Sequence, residues 1–172
     1  MRTSNVTFLA FLNAALLVGC SDDSSSDDRQ VTDRQVVKLH LDDFTESLER
    51  DPPSQAELSG RIRGYLEENP TFFGSTVASL DDAGRTAYSP YVYRLPSGAL
   101  SEKDLAGDPA YDIDAQSWLT TPIAAGEGVW SEPYFDTGGG DIWMVTRSQP
   151  VYMGDRVVAV ATTDLAVEAP SD

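Results

Sequence analysis

The sequence predicts an α+β fold: a long N-terminal helix, then a central antiparallel sheet of about five strands interrupted by one helical and loop insertion. Three observations carry that expectation. Apolar residues keep a helical period from Arg29 to the Pro52-Pro53 pair, the period switches to strand-like runs after Pro70, and turn sequences containing glycine join those runs into hairpins. Across 172 residues, 41% are hydrophobic and 23% charged, the composition of one globular domain.

The chain opens on a segment of a different kind. Arg2 precedes Val6-Thr7-Phe8-Leu9-Ala10-Phe11-Leu12 and Ala14-Ala15-Leu16-Leu17-Val18, an apolar run too short and too interrupted to span a bilayer core. It has the character of an export signal. The run ends in Leu17-Val18-Gly19-Cys20, which resembles the bacterial lipobox, and Cys20 is the single cysteine of the chain. Residues 1–19 are therefore read as a lipoprotein signal peptide and Cys20 as the lipidated residue. After it, Ser21-Asp22-Asp23-Ser24-Ser25-Ser26-Asp27-Asp28 contains no apolar residue, so residues 20–28 are expected to form an extended acidic tether. Residues 29–168 make the single domain and 169–172 a short tail. Ser21 in place of an inner-membrane retention Asp points to the outer membrane, facing the periplasm, in a source with two membranes.

Within the domain, Val37, Leu41, Phe44 and Leu48 recur at spacings of four, three and four, one stripe of an amphipathic helix. His40 flanks that stripe, either a pH-sensing group or a solvent-edge residue. Ser54-Gln55-Ala56-Glu57 has capping-box spacing, and Leu58, Ile62, Tyr65 and Leu66 continue a second helix to Asn69-Pro70. Residues 74–80 and 85–88, with 91–94 after Pro90, read as strand runs of a hairpin around the turn Asp81-Asp82-Ala83-Gly84. Residues 142–148 and 156–163 read as a second hairpin around Met153-Gly154-Asp155. Between the hairpins, residues 97–129 are expected to be loops and short helices.

Charge and composition also exclude function classes. Twelve Lys and Arg against 28 Asp and Glu give a net charge of -16, which repels nucleic acid. One Cys and one His cannot build a Cys/His zinc site or an internal disulfide.

The ordered set Tyr111-Asp112, Trp118, Trp130-Ser131-Glu132-Pro133-Tyr134-Phe135-Asp136, Pro150-Val151-Tyr152 and Val157-Val158-Ala159-Val160 leading to Asp164 resembles Cache domains. These are PAS-like, PDC-type extracytoplasmic sensor modules of bacterial chemoreceptors, histidine kinases and cyclases. The preceding long helix, Asn69-Pro70 before a strand, and Pro90-Tyr91-Val92-Tyr93-Arg94 extend the resemblance over most of the chain. It implies a ligand-binding module without catalytic residues or a cofactor. Many members bind amino acids through a Tyr, an Arg, a Trp-Tyr pair, a Tyr-x-Asp and a final Asp. Here Tyr111, Trp118, Tyr134, Asp136 and Asp164 match, while Gln116 stands at the Arg position and Leu119 at the second aromatic. A neutral amide makes no charge-assisted fork with a carboxylate. The resemblance thus implies a site built from Tyr111, Gln116, Trp118, Tyr134, Asp136 and Asp164 for a small amine or another amino-acid-like cation.

Other readings stand beside this one. Trp118, Trp130 and Tyr134 either line a pocket or fill the core, and Arg94 or Arg147 either supplies an anion-binding charge or lies exposed. Glu132, Asp136, Asp141, Asp112 and Asp114 offer carboxylates for a glycosidase pair or an oxygen-ligand metal site. Asp112-Ile113-Asp114 begins like a calcium loop, but Ser117 and Ile123 occupy the positions where that loop needs Gly and Glu. An interaction lipoprotein with a non-functional Cache pocket is the alternative to a sensor. Because the sequence ends soon after the sheet, a separate membrane receptor, kinase or cyclase is the expected partner.

Overall fold

The computed structural model describes residues 23–170, with side chains from residue 33. The signal segment, Cys20 and the start of the tether lie outside the described residues. Helix α1 spans Asp23–Arg50. It reaches back through the acidic segment expected to be extended: a formed helix propagates without a new nucleus, and carboxylates are favoured at a helix N-terminus. Val37, Leu41, Phe44 and Leu48 are all buried, so the predicted stripe is the packed face. His40 is exposed and touches the ring of Phe72 edge-on at 5.9 Å.

Helix α2 spans Gln55–Glu68 and buries Leu58, Ile62, Tyr65 and Leu66. At its start the Glu57 carboxylate accepts the Ser54 N–H at 2.9 Å and the Ser54 hydroxyl at 2.6 Å. Those two bonds hold the Glu57 carboxyl below its ordinary range. Tyr65 stacks on Phe44 of α1 at 4.5 Å between centroids, and its hydroxyl meets Thr163 at 2.7 Å, tying both helices to the sheet.

The strands are β1 Gly74–Leu80, β2 Thr86–Tyr88, β3 Pro90–Arg94, β4 Leu100–Asp104, β5 Val129–Trp130, β6 Tyr134–Phe135, β7 Trp143–Met153 and β8 Arg156–Ala166. Every pairing is antiparallel, in the order β4-β3-β1-β8-β7-β5, with β2 on β1 and β6 on β7. Five strands form the body of the sheet, as expected, and three short pieces extend it. Two differences from the sequence reading have clear causes. Strand β7 continues past Ser148 through Pro150, because β5 has ended there and an edge tolerates proline. Strand β4 lies in the stretch expected to be loop and helix; it is a polar edge strand, set by the turn at Leu95 to Gly98, where Gly98 has φ +83.

Strand alternation gives the sheet two buried faces. Val77, Val92, Val151, Ala159 and Ala161 pack under α1 and α2. On the opposite face Ala78, Tyr91 and Val160 pack against Leu105, Tyr111, Ile113, Trp118 and Leu119. Most of the latter group comes from the insertion, which contains a 3-10 turn at Ile113–Ala115 and helix α3, Ser117–Ala125. Among the described residues no helix is long and apolar enough to cross a membrane.

Arg94 joins the two layers. Its guanidinium donates to the carbonyls of Phe72 at 2.9 Å, Asn69 at 3.4 Å and Leu66, closing the C-terminal end of α2. Hydrogen bonds from a charged donor contribute about 1.5–3 kcal/mol, so Arg94→Met should lower the unfolding free energy by about 2 kcal/mol in urea titrations. A variant as stable as the wild type would show that this cap contributes nothing.

Candidate ligand-binding site

The insertion face carries the polar cluster. Asp164 projects from β8 between two cross-strand neighbours, Gly74 of β1 and Thr146 of β7. Tyr134 of β6 and Asp136 just after it come from the sheet edge, while Tyr111 and Trp118 come from the insertion. These side chains, with Thr76, Tyr91, Leu105 and Thr162, enclose one cavity of about 10 Å³. That is room for about one water molecule.

Two chains of hydrogen bonds end on the two acids. Trp118 Nε1–H donates to the Tyr111 hydroxyl at 3.0 Å, and that hydroxyl donates to Asp136 Oδ1 at 3.0 Å. The Tyr134 and Thr146 hydroxyls meet at 2.8 Å, and Thr146 donates to Asp164 Oδ1 at 2.8 Å. Since the Thr146 proton points at Asp164, Tyr134 is the donor to Thr146. The second oxygen of Asp136 accepts the Gly140 N–H at 2.7 Å. Donor chains of this kind favour ionised carboxylates.

Burial works against them. Asp164 is 4% exposed, and desolvation pushes its carboxyl up to about 7 against the opposing bond from Thr146; the charge of Asp136 adds to the rise. Asp136 is raised as well, chiefly by burial, with Gly140, Tyr111 and the Lys103 ammonium opposing. Burial, followed by the nearby acids, pushes the Tyr111 and Tyr134 phenols far up, so both remain protonated donors. Neither acid belongs to an ion pair among the described residues.

Five of the six residues predicted to contact ligand line this cavity: Tyr111, Trp118, Tyr134, Asp136 and Asp164. Gln116 does not. It is the N-cap residue of α3, and its amide donates to the Asp112 carbonyl at 3.0 Å. Leu119 is core. Neither arginine faces the cavity: Arg94 caps α2, and Arg147 lies on the helix face as the cross-strand neighbour of Thr163 and Trp130. Burial lowers the Arg147 guanidinium from its usual range. Trp130 is half-buried under Arg34 of α1, 5.2 Å from its ring, so it packs between helix and sheet.

The other acids are scattered. Glu132 and Asp112 are exposed, Asp114 accepts the Thr86 N–H and hydroxyl, and Asp141, at φ +55, accepts the Gly138 N–H. Among the described residues no three His, Cys, Asp or Glu side chains gather as metal ligands. Two larger clefts, of about 220 and 420 Å³, lie on the helix side, and neither contains a buried charged side chain. Thr76, Tyr91, Leu105, Thr146 and Thr162 complete the cage and were not assigned to the site from sequence, although Tyr91 stands in the Pro90–Arg94 run that extends the resemblance.

An open antiparallel sheet with helices on one face and an inserted helical segment on the other is the architecture of PDC-type domains. Residues 58–169 match the family described as methyl-accepting chemotaxis protein-like, first PDC sensor domain, and the chain belongs to that family of Cache-type sensor domains. The structure is similar to the extracellular domain of soHK1S-Z6, named as a histidine kinase, with a TM-score of 0.66 and 22% identity over 84% of this chain and 63% of that one. It is also similar to the ligand-binding domain of the Pseudomonas aeruginosa amino acid chemoreceptor PctC in complex with GABA (TM-score 0.54, 18% identity, 77% and 56% covered). A third similarity is to the ligand-binding domain of Mlp24 with asparagine (0.58, 18%, 84% and 54%). The chain thus spans less than two thirds of each of these structures. No curated protein matches it in sequence.

The carboxyl at position 164 sets a pH dependence. A folded-state value near 7 against 3.8 in the ordinary state means the folded protein holds a proton that the unfolded chain releases between about pH 4 and 7. Its contribution to stability is therefore present at acid pH and lost as pH rises, by up to about 1.4 kcal/mol per pH unit. Urea unfolding at pH 5 and pH 7 should show the wild type weakening with pH. Asp164→Asn should flatten that decline and exceed the wild type at pH 7; parallel curves would contradict the assignment.

Proposed function

We propose that this chain is a lipid-anchored, non-catalytic sensor module that binds a small amine or similar cation in the cage between its sheet and α3. The observation that carries this reading is the pair of donor chains ending on Asp136 and Asp164, two buried acids in no ion pair among the described residues. An ammonium group inside the cage supplies that missing charge, and the rings of Trp118, Tyr111 and Tyr134 offer faces for its cation–π contacts. Among the described residues no cationic side chain lines the cage to receive a ligand carboxylate: Gln116 is turned to its own backbone, and Lys103, beside Asp136, donates to the carbonyls of Gly138 and Gly139. PctC is named with GABA and Mlp24 with asparagine. Both ligands carry an ammonium group, the half of an amino acid that this cage suits.

The anchor is placed at Cys20, in the outer membrane facing the periplasm. Its signal passes to a separate membrane receptor, kinase or cyclase, since the relatives are named as chemoreceptors and histidine kinases. The net charge of -16 gathers cations near the surface. A Cys20→Ser variant should move from the membrane fraction to the soluble periplasmic fraction; retention in the membrane would refute lipid anchoring.

A second reading, an interaction lipoprotein whose pocket is non-functional, has one observation in its favour: the cage has room for only about 10 Å³. An amine larger than water has to displace its wall. Thermal-shift measurements on the unlipidated mature chain separate the two. An amine at 100 times its Kd adds about 2.7 kcal/mol and should raise Tm by roughly 5–10 °C. The shift should vanish in Asp164→Asn and be absent with acetate or succinate. A flat panel favours the interaction protein.

A further inference from the structure

One buried polar atom of the cage, the hydroxyl of Tyr91, has no hydrogen-bond partner among the described residues, and Tyr91 is 2% exposed. Native structures pair almost all such groups, and an exception points to a missing partner. The hydroxyl lies in the same cavity as Asp164, close enough to bear on that carboxyl but outside hydrogen-bond geometry. Its position is fixed: the ring stacks on Tyr93, with centroids 5.3 Å apart and planes 14° apart. Two residues without side chains make room for it. A Cβ on Gly74 would stand 2.5 Å from the Tyr91 oxygen, and one on Gly140 would stand 3.2 Å away. Gly74 is also the cross-strand neighbour of Asp164, so the opening in β1 serves phenol and carboxylate together.

The two acids differ in what they have left to offer. Asp136 is committed, one oxygen to Tyr111 and the other to the Gly140 N–H, and the Lys103 ammonium is held beside it on the carbonyls of Gly138 and Gly139. Asp164 accepts one hydrogen bond among the described residues, from Thr146. We infer that Tyr91 is a ligand-contacting residue: a single ammonium group is held between the Asp164 carboxylate and the Tyr91 phenol oxygen, Asp136 stays in the wall, and the site takes a monocation. This rests on the amine reading and narrows it to molecules bearing one positive charge. The ammonium donates one N–H to each oxygen, which gives the phenol oxygen a donor and compensates the charge of Asp164 with the same group.

Calorimetric titration of the unlipidated mature chain with n-butylamine and 1,4-diaminobutane tests this, alongside Tyr91→Phe, which keeps the stacked ring. The monoamine should bind the wild type more tightly than the diamine. Tyr91→Phe should weaken n-butylamine about tenfold, the loss of one hydrogen bond to a charged group, while the Tm of the free protein holds or rises because an unpaired hydroxyl is gone. Equal n-butylamine affinity in Tyr91→Phe and wild type overturns the inference and leaves the amine reading standing. So does a lowered Tm with unchanged affinity, which makes the hydroxyl structural. Tighter binding of the diamine shows that Asp136 also receives charge and overturns the single-charge site. If neither amine binds the wild type, the amine reading fails and the inference with it.

Discussion

A carboxylate that water scarcely reaches organises one whole face of this protein. Asp164 sits in the middle of the sheet, between β1 and β7, and an ionised group there loses its hydration without gaining a counter-ion among the described residues. Much of the insertion face responds to that constraint. Thr146 lies opposite Asp164 in register and turns its hydroxyl to it, and Tyr134 stands behind Thr146. The second chain, from Trp118 through Tyr111 to Asp136, repeats the arrangement from the other side of the cage. Burial nonetheless outweighs these donors, which is why the Asp164 carboxyl is displaced toward neutrality.

Strand alternation makes this possible without sacrificing the core. Along β8, Ala159, Ala161 and Thr163 face the helices while Val160, Thr162 and Asp164 face the cage. Shifting β8 by one residue would bury Asp164 under α2 and leave its place in the cage to Thr163 or Leu165, so the hydrophobic pattern that builds the core also fixes the register of the site. Arg94 follows the same division: as a residue of the helix face it closes α2 and is unavailable to the cage.

The helices and both hairpins were legible because burial decides them. Val37, Leu41, Phe44 and Leu48 have no other way to leave water together than on one helical stripe. Strand β4 was not legible, since Leu100-Ser101-Glu102-Lys103-Asp104 contains one apolar residue and is held by edge pairing with β3. The turn at Pro96-Ser97-Gly98 was its one signal. At the site, Tyr111, Trp118, Tyr134, Asp136 and Asp164 came from the resemblance and the structure gathers them around one cavity, while Gln116 stays outside because an N-cap residue has its amide within reach of its own backbone. The places of Tyr91 and Thr146 in the cage were beyond sequence reasoning, because they depend on which residue stands opposite which across the sheet.

The account makes the cage an anion in search of a charge partner, and the charge state of one side chain reports on it directly. Following the Asp164 carboxyl carbon by NMR across pH, with and without saturating n-butylamine, is the most direct measurement. The account predicts an apparent pKa near 7 in the free protein and a fall toward the ordinary carboxylate range when the amine is bound. A free-state value already near 4, or one that the amine leaves unmoved, would contradict it.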